Sequence, residues 1–354
     1  METTTTTYLA TNITNVYNTS ANTTDYYDYD DYEDFQLSPL HYFTAVVYIL
    51  DFLLGTIGNG LVIWFSIFKM KKTVNVIWFL NLSIADFTFT LFLPFSISYL
   101  LNGFHWSFGS FMCKFNSTLA FVNLFASVFL LTVISIDRLI SVIFPVWCQN
   151  HRTPRLALFV VIVVWFLALL CSLPYFIFRD TEDYNYTIRC SNNYKLNGSI
   201  DDARIRHKSL VTMRFLVGFL IPFTIIVTCY SVIAQRIYRN HLTTSTKPFK
   251  VIITVIICFF VCWIPYHIFS LLELHSFYHD SDLFYKISAA IPFASSLAFM
   301  NSCVNPFLYV FIGRDFKDNI CRSFHSIFEK AFNEDSVAKD LISKTKSTSN
   351  SQVV

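Results

Sequence analysis

The chain has 354 residues, 54 % of them apolar and only 14 % charged, where a soluble domain carries roughly 25 % charged residues. A net charge of +2 is too small to suggest nucleic-acid binding as a main activity, and nine Cys are too dilute for a disulfide scaffold. With 39 Phe and a mean hydropathy of +0.48, there is more apolar surface than one water-soluble core buries, so the chain reads as an integral membrane protein.

Residues 1–40 contain no Lys or Arg and no apolar run, so no cleavable signal peptide is expected. This segment is rich in Thr and Asn, then acidic and tyrosine-rich over residues 25–34, and reads as a disordered extracellular tail. Seven apolar stretches follow, each long enough to cross a bilayer as a helix of about 20 residues: 42–68, 74–101, 111–140, 156–177, 210–234, 249–272 and 287–311. Several lack a 3.6-residue stripe, as helices apolar on nearly all sides do. Pro94, Pro174, Pro222, Pro265 and Pro306 lie inside them, which membrane helices tolerate when neighbours satisfy the freed carbonyls. Lys69, Lys71 and Lys72 follow the first span and place that end in the cytoplasm, with the N-terminus outside. Arg152, Arg155 and the basic run 236–250 then fall inside by alternation, and the mixed-charge loop 178–209 falls outside. The expected fold is all-α: a seven-transmembrane helix bundle over 41–312, a short amphipathic membrane-surface helix over 313–332, and a cytoplasmic tail over 333–354.

Glycosylation sequons outside the membrane stand at Asn12, Asn18 and Asn22 in the tail and at Asn185 and Asn197 in the long outer loop. Cys113 and Arg138 are 25 residues apart on the third span, about 37 Å, so they mark its outer and inner ends. Cys190 is the one Cys of the outer loops proper, which makes Cys113–Cys190 the bridge available at the oxidising face; two free thiols are the alternative. Asp86 lies midway along the second span, where a carboxylate marks function. Ser127, Asn301 and Asn305 fall at similar depth, and this oxygen set suits a structural Na⁺; a protonated Asp86 in a polar network is the other reading. Asp51, eight residues before Asn59, is a second intramembrane carboxylate, and spacing leaves open whether a polar neighbour or a proton neutralises it. Asp137-Arg138 ends the third span. Cys262-Trp263-Ile264-Pro265 and Asn305-Pro306-Phe307-Leu308-Tyr309 each set polar or aromatic groups beside a proline kink.

In this order and at these depths, the marks resemble those of the rhodopsin-like G-protein-coupled receptors. The likeness runs from about residue 42 to 328 and includes Gly58-Asn59, Leu82 to Asp86, Asp137-Arg138, Trp165, Pro222 with Tyr230, and the two proline motifs; Leu139 stands at the third position of the usual Asp-Arg-Tyr. Phe299 replaces the retinal lysine of opsins, and Ala120 the aspartate of amine receptors. The runs 68–75, 105–109, 145–153 and 178–181 are similar to the leukocyte chemoattractant receptors. Within that group, 214–222 and 271–275 are most similar to the chemokine-like (chemerin) receptors. Formyl-peptide receptors carry an aspartate and a further arginine at the positions of Phe121 and Leu210.

The resemblance implies a receptor rather than an enzyme or a transporter. Its ligand would be an extracellular peptide or protein chemoattractant, chemerin-like before complement- or formyl-peptide-type. Coupling to a heterotrimeric G protein of the inhibitory class would use Asp137, Arg138, Tyr230 and Tyr309; a non-signalling decoy receptor is the alternative. Arg214, about 12 Å outward of Pro222, is expected to bind a peptide's C-terminal carboxylate, helped by Arg179, above an apolar pocket lined by Phe121 and Trp263. Glu273 would be its structural partner otherwise. Tyr26, Tyr27, Tyr29 and Tyr32 among acidic neighbours look like sulfation sites that steer a basic ligand. Cys321 is a palmitate site or a free thiol on the segment lying against membrane lipid. The hydroxyl cluster at 343–351, once phosphorylated, would attract arrestin.

Overall fold

The computed structural model describes residues 38–184, 187–196, 198–239, 247–279 and 281–312. Seven helical stretches in it are long and apolar enough to cross a membrane. In chain order they are α1 (Pro39–Phe68), the pair α2 (Val74–Leu91) and α3 (Leu93–Leu101), α4 (Gly109–Ile143), α6 (Pro154–Phe178), α7 (Ile200–Phe215) continuing through a π-helical turn (Leu216–Leu220) into α8 (Ile221–Arg239), α9 (Lys247–His279), and α10 (Ser281–Ile312). The short α5 (Pro145–His151) connects α4 to α6. An antiparallel hairpin, β1 (Arg179–Tyr184) and β2 (Thr187–Asn192), connects α6 to α7, with Thr181 opposite Cys190. The segment expected to form the membrane-surface helix lies outside the described residues.

The helix starts are written locally. Thr73 accepts from the Val76 amide at 3.3 Å and Thr153 from the Leu156 amide at 3.3 Å, satisfying donors the first turns leave open. Pro154 then sits where its missing N–H costs nothing. The fifth membrane helix corrects the sequence reading, which kept residues 200–209 in the loop. Ser199 caps this helix: its hydroxyl accepts from the Asp202 amide at 3.1 Å, and Asp202 Oδ2 accepts from the Ser199 amide at 3.0 Å. Such a reciprocal cap starts a helix ten residues before the chain turns apolar, and hydropathy does not register polar helix.

Proline shapes the interior. Pro94 cannot donate to the chain before it, and the second span divides at Phe92 into α2 and α3. Pro222 follows the π-helical turn, the wider winding that accommodates its ring. Pro306 leaves the Ser302 carbonyl without its helical donor. Asn59 on α1 supplies the replacement, its Nδ2 donating to Ser302 O at 2.8 Å and to Gly55 O at 2.9 Å. The approach depends on glycine: a Cβ at Gly58 would stand 3.0 Å from Pro306, and one at Gly55 would stand 2.5 Å from Thr90 Cγ2.

The core runs through the middle of the bundle, where Leu82, Leu124, Phe125, Val128, Leu130 and Phe259 are fully buried. Outward faces are just as apolar. On α6, Phe159, Ile162 and Phe166 are 63–66 % exposed, while Ala157, Val161, Val164 and Ala168 pack inward. Lipid takes the place of water there, so only residue size, small inside and large outside, separates the two faces.

Candidate functional site

The end of the bundle that carries the hairpin is built around one bridge. Cys113 on α4 and Cys190 on β2 are joined, with Cα atoms 5.7 Å apart, pinning the hairpin across the helix ends. Ser110 donates to Asp180 Oδ1 at 2.5 Å and Lys114 Nζ lies 3.2 Å from Asp180 Oδ2. The Ser110 hydroxyl, with the Thr181 amide and Lys114, holds this carboxyl below the usual carboxylate range. Arg179 turns onto the bridge, Nε donating to Cys190 Sγ at 3.3 Å and a terminal nitrogen to Asn192 Oδ1 at 3.1 Å.

Beneath the hairpin, Arg214 is 8 % exposed, with its guanidinium carbon 5.5 Å from the Phe121 ring centre and 5.0 Å from that of Tyr266. Each such contact returns about 0.5–2 kcal/mol, far less than an arginine loses on leaving water. Among the described residues no carboxylate forms an ion pair with Arg214 within 4 Å; the four ion pairs all lie elsewhere, and Nε donates to nothing. Glu273 lies within electrostatic reach but does not close onto it. Tyr175, stacked on Phe121 at 3.5 Å, stands beside the guanidinium without a well-formed hydrogen bond. Tyr194 and Tyr266 fall within the electrostatic reach of both Arg179 and Arg214, so the two cations flank one aromatic floor. Trp263 closes the floor, with Tyr266 at 5.7 Å and His267 at 6.1 Å between ring centres.

Deeper, Asp86 is fully buried. Asn123 donates to Oδ1 at 2.8 Å and Asn305 to Oδ2 at 2.8 Å, and Ser302 donates to Asn123 Oδ1 at 3.3 Å. Among the described residues, Asn305 Oδ1 beside this carboxylate accepts no hydrogen bond, and neither do the buried Ser127 Oγ and Asn301 Oδ1. A carboxylate with spare hydroxyl and amide oxygens is the donor set a hard monovalent cation takes, so these residues fit a Na⁺. Asp51, 1 % exposed, accepts from the Cys303 thiol at 3.2 Å. Its neighbour is therefore a polar group, though a weak donor.

At the opposite end, Asp137 is held chiefly by a residue outside the Asp-Arg pair. Arg152 grips both carboxylate oxygens, at 2.7 Å and 2.9 Å, while Arg138 lies 3.7 Å away. Arg138 and Arg152 both donate to Asn75 Oδ1. Tyr230 stands beside Ser135 and Arg138. The Tyr309 side chain lies outside the described residues. So do Asn12, Asn18, Asn22, Asn185, Asn197, Tyr26, Tyr27, Tyr29, Tyr32, Cys321 and the cluster at 343–351.

Reading by depth missed Asn123, Ser302, Tyr266, His267, Asn75 and Arg152. Asn123, Tyr266 and His267 had a signal. Asn123 precedes Ser127 by four residues, and Tyr266 and His267 follow Trp263 by three and four, spacings that put side chains on one helix face. Arg152 and Asn75 had none, because the connection between α4 and α6 brings Arg152 to Asp137, and Asn75 at the start of α2 meets Arg138 and Arg152 only in the folded bundle.

The chain matches the family described as 7 transmembrane receptor (rhodopsin family) over residues 58–309. It belongs to that family. Chemerin-like receptor 1 of Homo sapiens is 48 % identical over 298 residues, covering 80 % of this chain and 79 % of the relative. The same receptor of Rattus norvegicus is 49 % identical over 287 residues, 78 % and 76 % of the two chains. Chemerin-like receptor 2 of Homo sapiens is 45 % identical over 282 residues, 80 % and 79 %. The protein is a multi-pass plasma-membrane G-protein-coupled receptor of chemoattractant type, not an enzyme.

Proposed function

We propose that the chain is a receptor for a chemerin-like peptide or protein, whose C-terminal carboxylate docks on Arg214 with help from Arg179. One observation carries this reading: a buried guanidinium with an aromatic floor and, among the described residues, no carboxylate paired with it within 4 Å. A planar cation of this kind suits bidentate recognition of a carboxylate, and Phe121, Tyr266 and Trp263 offer apolar and edge contacts to aromatic side chains of the ligand. The disulfide end faces outward and the Asp137 end faces the cytoplasm, in line with Lys69, Lys71 and Lys72 after α1. The acidic tail, with sulfated Tyr26, Tyr27, Tyr29 and Tyr32 and sugars on the five sequons, steers a basic ligand toward this mouth.

Agonist binding shifts a population. In the resting form Arg152 and Arg138 hold Asp137. In the active form Arg138 leaves this cluster and, with Tyr230 and Tyr309, forms the wall of a groove that takes a helix of an inhibitory-class G protein. Asp86, Asn123, Ser127, Asn301, Ser302 and Asn305 would hold a Na⁺, which supplies the counter-charge a buried carboxylate otherwise lacks. The 313–332 segment, acylated at Cys321, lies on membrane lipid, and phosphorylation at 343–351 recruits arrestin.

The deciding measurement compares a free-acid peptide agonist with its C-terminal amide on the parent and on Arg214→Ala, read as G-protein activation. Amidation weakens the parent strongly and the mutant hardly at all. An equal penalty on both makes Arg214 structural.

A further inference from the structure

The last turns of α9 stand at the end of the bundle that carries the hairpin. Phe277 lies 5.6 Å from His207 of α7 and 5.2 Å from Phe284 of α10 between ring centres. His207 in turn stacks at 4.8 Å on Tyr194, just beyond β2. A helix turns about 100° per residue, so positions 275 and 279 share a row that points away from Phe277. His275 and His279 occupy that row, and both are exposed. Their rings lie together, 4.8 Å between centres with the planes 38° apart.

The other described histidines are occupied. His41, His105 and His151 are hydrogen-bonded, and His207 and His267 pack among aromatic rings. Charge beside the last carbonyls is the ordinary use of a histidine in a final helical turn. That use calls for one imidazolium, and two protonated rings at this separation would repel. Two neutral rings four residues apart can instead turn their nitrogen lone pairs to a common point, as in helices that hold zinc through His-x-x-x-His.

The spacing fits such an ion. A zinc–imidazole bond is about 2.0–2.1 Å and the ring centre lies about 1.1 Å farther on, which sets the centres of two rings on a tetrahedral ion about 5 Å apart. The observed 4.8 Å is close to that value. Imidazole nitrogen suits zinc and its transition-metal neighbours, whereas calcium and magnesium call for oxygen. Among the described residues no third His, Cys, Asp or Glu gathers with the pair. Zinc imposes no geometry of its own that two ligands on one helix must meet.

We propose that His275 and His279 bind Zn²⁺, with water on its remaining positions, and that the ion clamps the last turn of α9. The site stands apart from Arg214, so it does not depend on the ligand proposed above.

The test uses the full-length receptor in nanodiscs, purified without a metal-binding tag, and radioactive zinc in equilibrium dialysis. The parent should bind one ion more than the double variant His275→Ala, His279→Ala, with calcium and magnesium failing to compete. Each single substitution should weaken that ion about tenfold or more, since losing even a ligand's supporting partner costs that much. Zinc should also slow amide exchange over residues 275–279 in the parent and leave the double variant unchanged. Both side chains are exposed, so alanine leaves the packing of α9 intact, and agonist binding without metal checks this. Equal zinc binding by the parent and the double variant, or full affinity kept by either single variant, overturns the site. Zinc bound with no slowing of exchange overturns the clamp.

Discussion

Arg214 and Arg152 sit near opposite ends of the same bundle and have met opposite fates. Arg152 closes on Asp137 with two short contacts, and its charge is cancelled within the fold. Arg214 is the more deeply buried, yet it rests on the faces of Phe121 and Tyr266 with no ion pair inside 4 Å among the described residues. Paired charge holds a conformation, whereas unpaired buried charge stores a demand that something from outside must meet. On the function proposed above, the first kind lies at the end that must stay shut and the second kind where a ligand arrives.

Four experiments press on this contrast. Arg214→Ala removes the unmet cation and should cost a free-acid peptide agonist about 30-fold or more in potency, the effect of about 2 kcal/mol or more for one half of a buried charged contact. Arg214→Lys should recover only part, because an ammonium lacks the planar fork. Asp86→Asn removes the mid-bundle carboxylate, and agonist affinity, expected to fall of order fivefold on adding sodium in the parent, should then ignore sodium. Equal sodium sensitivity in both receptors would leave Asp86 a purely structural acid.

Arg152→Ala tests the closed end. Losing a partly exposed bidentate pair should raise agonist-free nucleotide exchange about two- to fivefold, the equivalent of about 0.5–1 kcal/mol. Unchanged basal exchange would mean that Arg138 alone keeps Asp137 in place. The smallest effect concerns Asp180, whose carboxyl titrates below the usual range because the folded hairpin favours its charged form. Its contribution is present above the ordinary carboxylate pKa of about 3.9 and is lost as pH falls through the lower folded value. Amide exchange in the hairpin should accelerate there in the parent, and Asp180→Asn should show the faster exchange already at neutral pH.

Most of the bundle was legible because twenty apolar residues have few alternatives to a membrane helix. The limits of that reading are equally physical. Hydropathy could not see residues 200–209, since a charged helix held by Ser199 and Asp202 looks like loop. It could not separate the faces of α6, where Ala168 and Phe166 are both apolar and only size tells them apart. Counting depth brought Asp86 and Asn305 together correctly. It overlooked Asn123 and Ser302 because depth ignores the angle around a helix. Arg152 lies beyond any such reckoning: α5 and its turn must fold before a loop arginine meets Asp137.

The amide of Asn59 acts as a joint between two ends of the chain. Pro306 disconnects the last turns of α10 from the helix below, and the donor that bridges the gap belongs to the first helix, not the seventh. Those turns therefore swing on a pivot whose fixed half is α1, pressed against them at Gly58. A tilt of α1 of one ångström would stretch a 2.8 Å contact past the reach of a good hydrogen bond. Asn305, one residue from the bend, also holds Asp86, so the same tilt would tug on the buried carboxylate. The first helix thus becomes a lever arm. Whatever leans on its lipid-facing side, a thicker bilayer or a second receptor, gains purchase on the machinery at the centre.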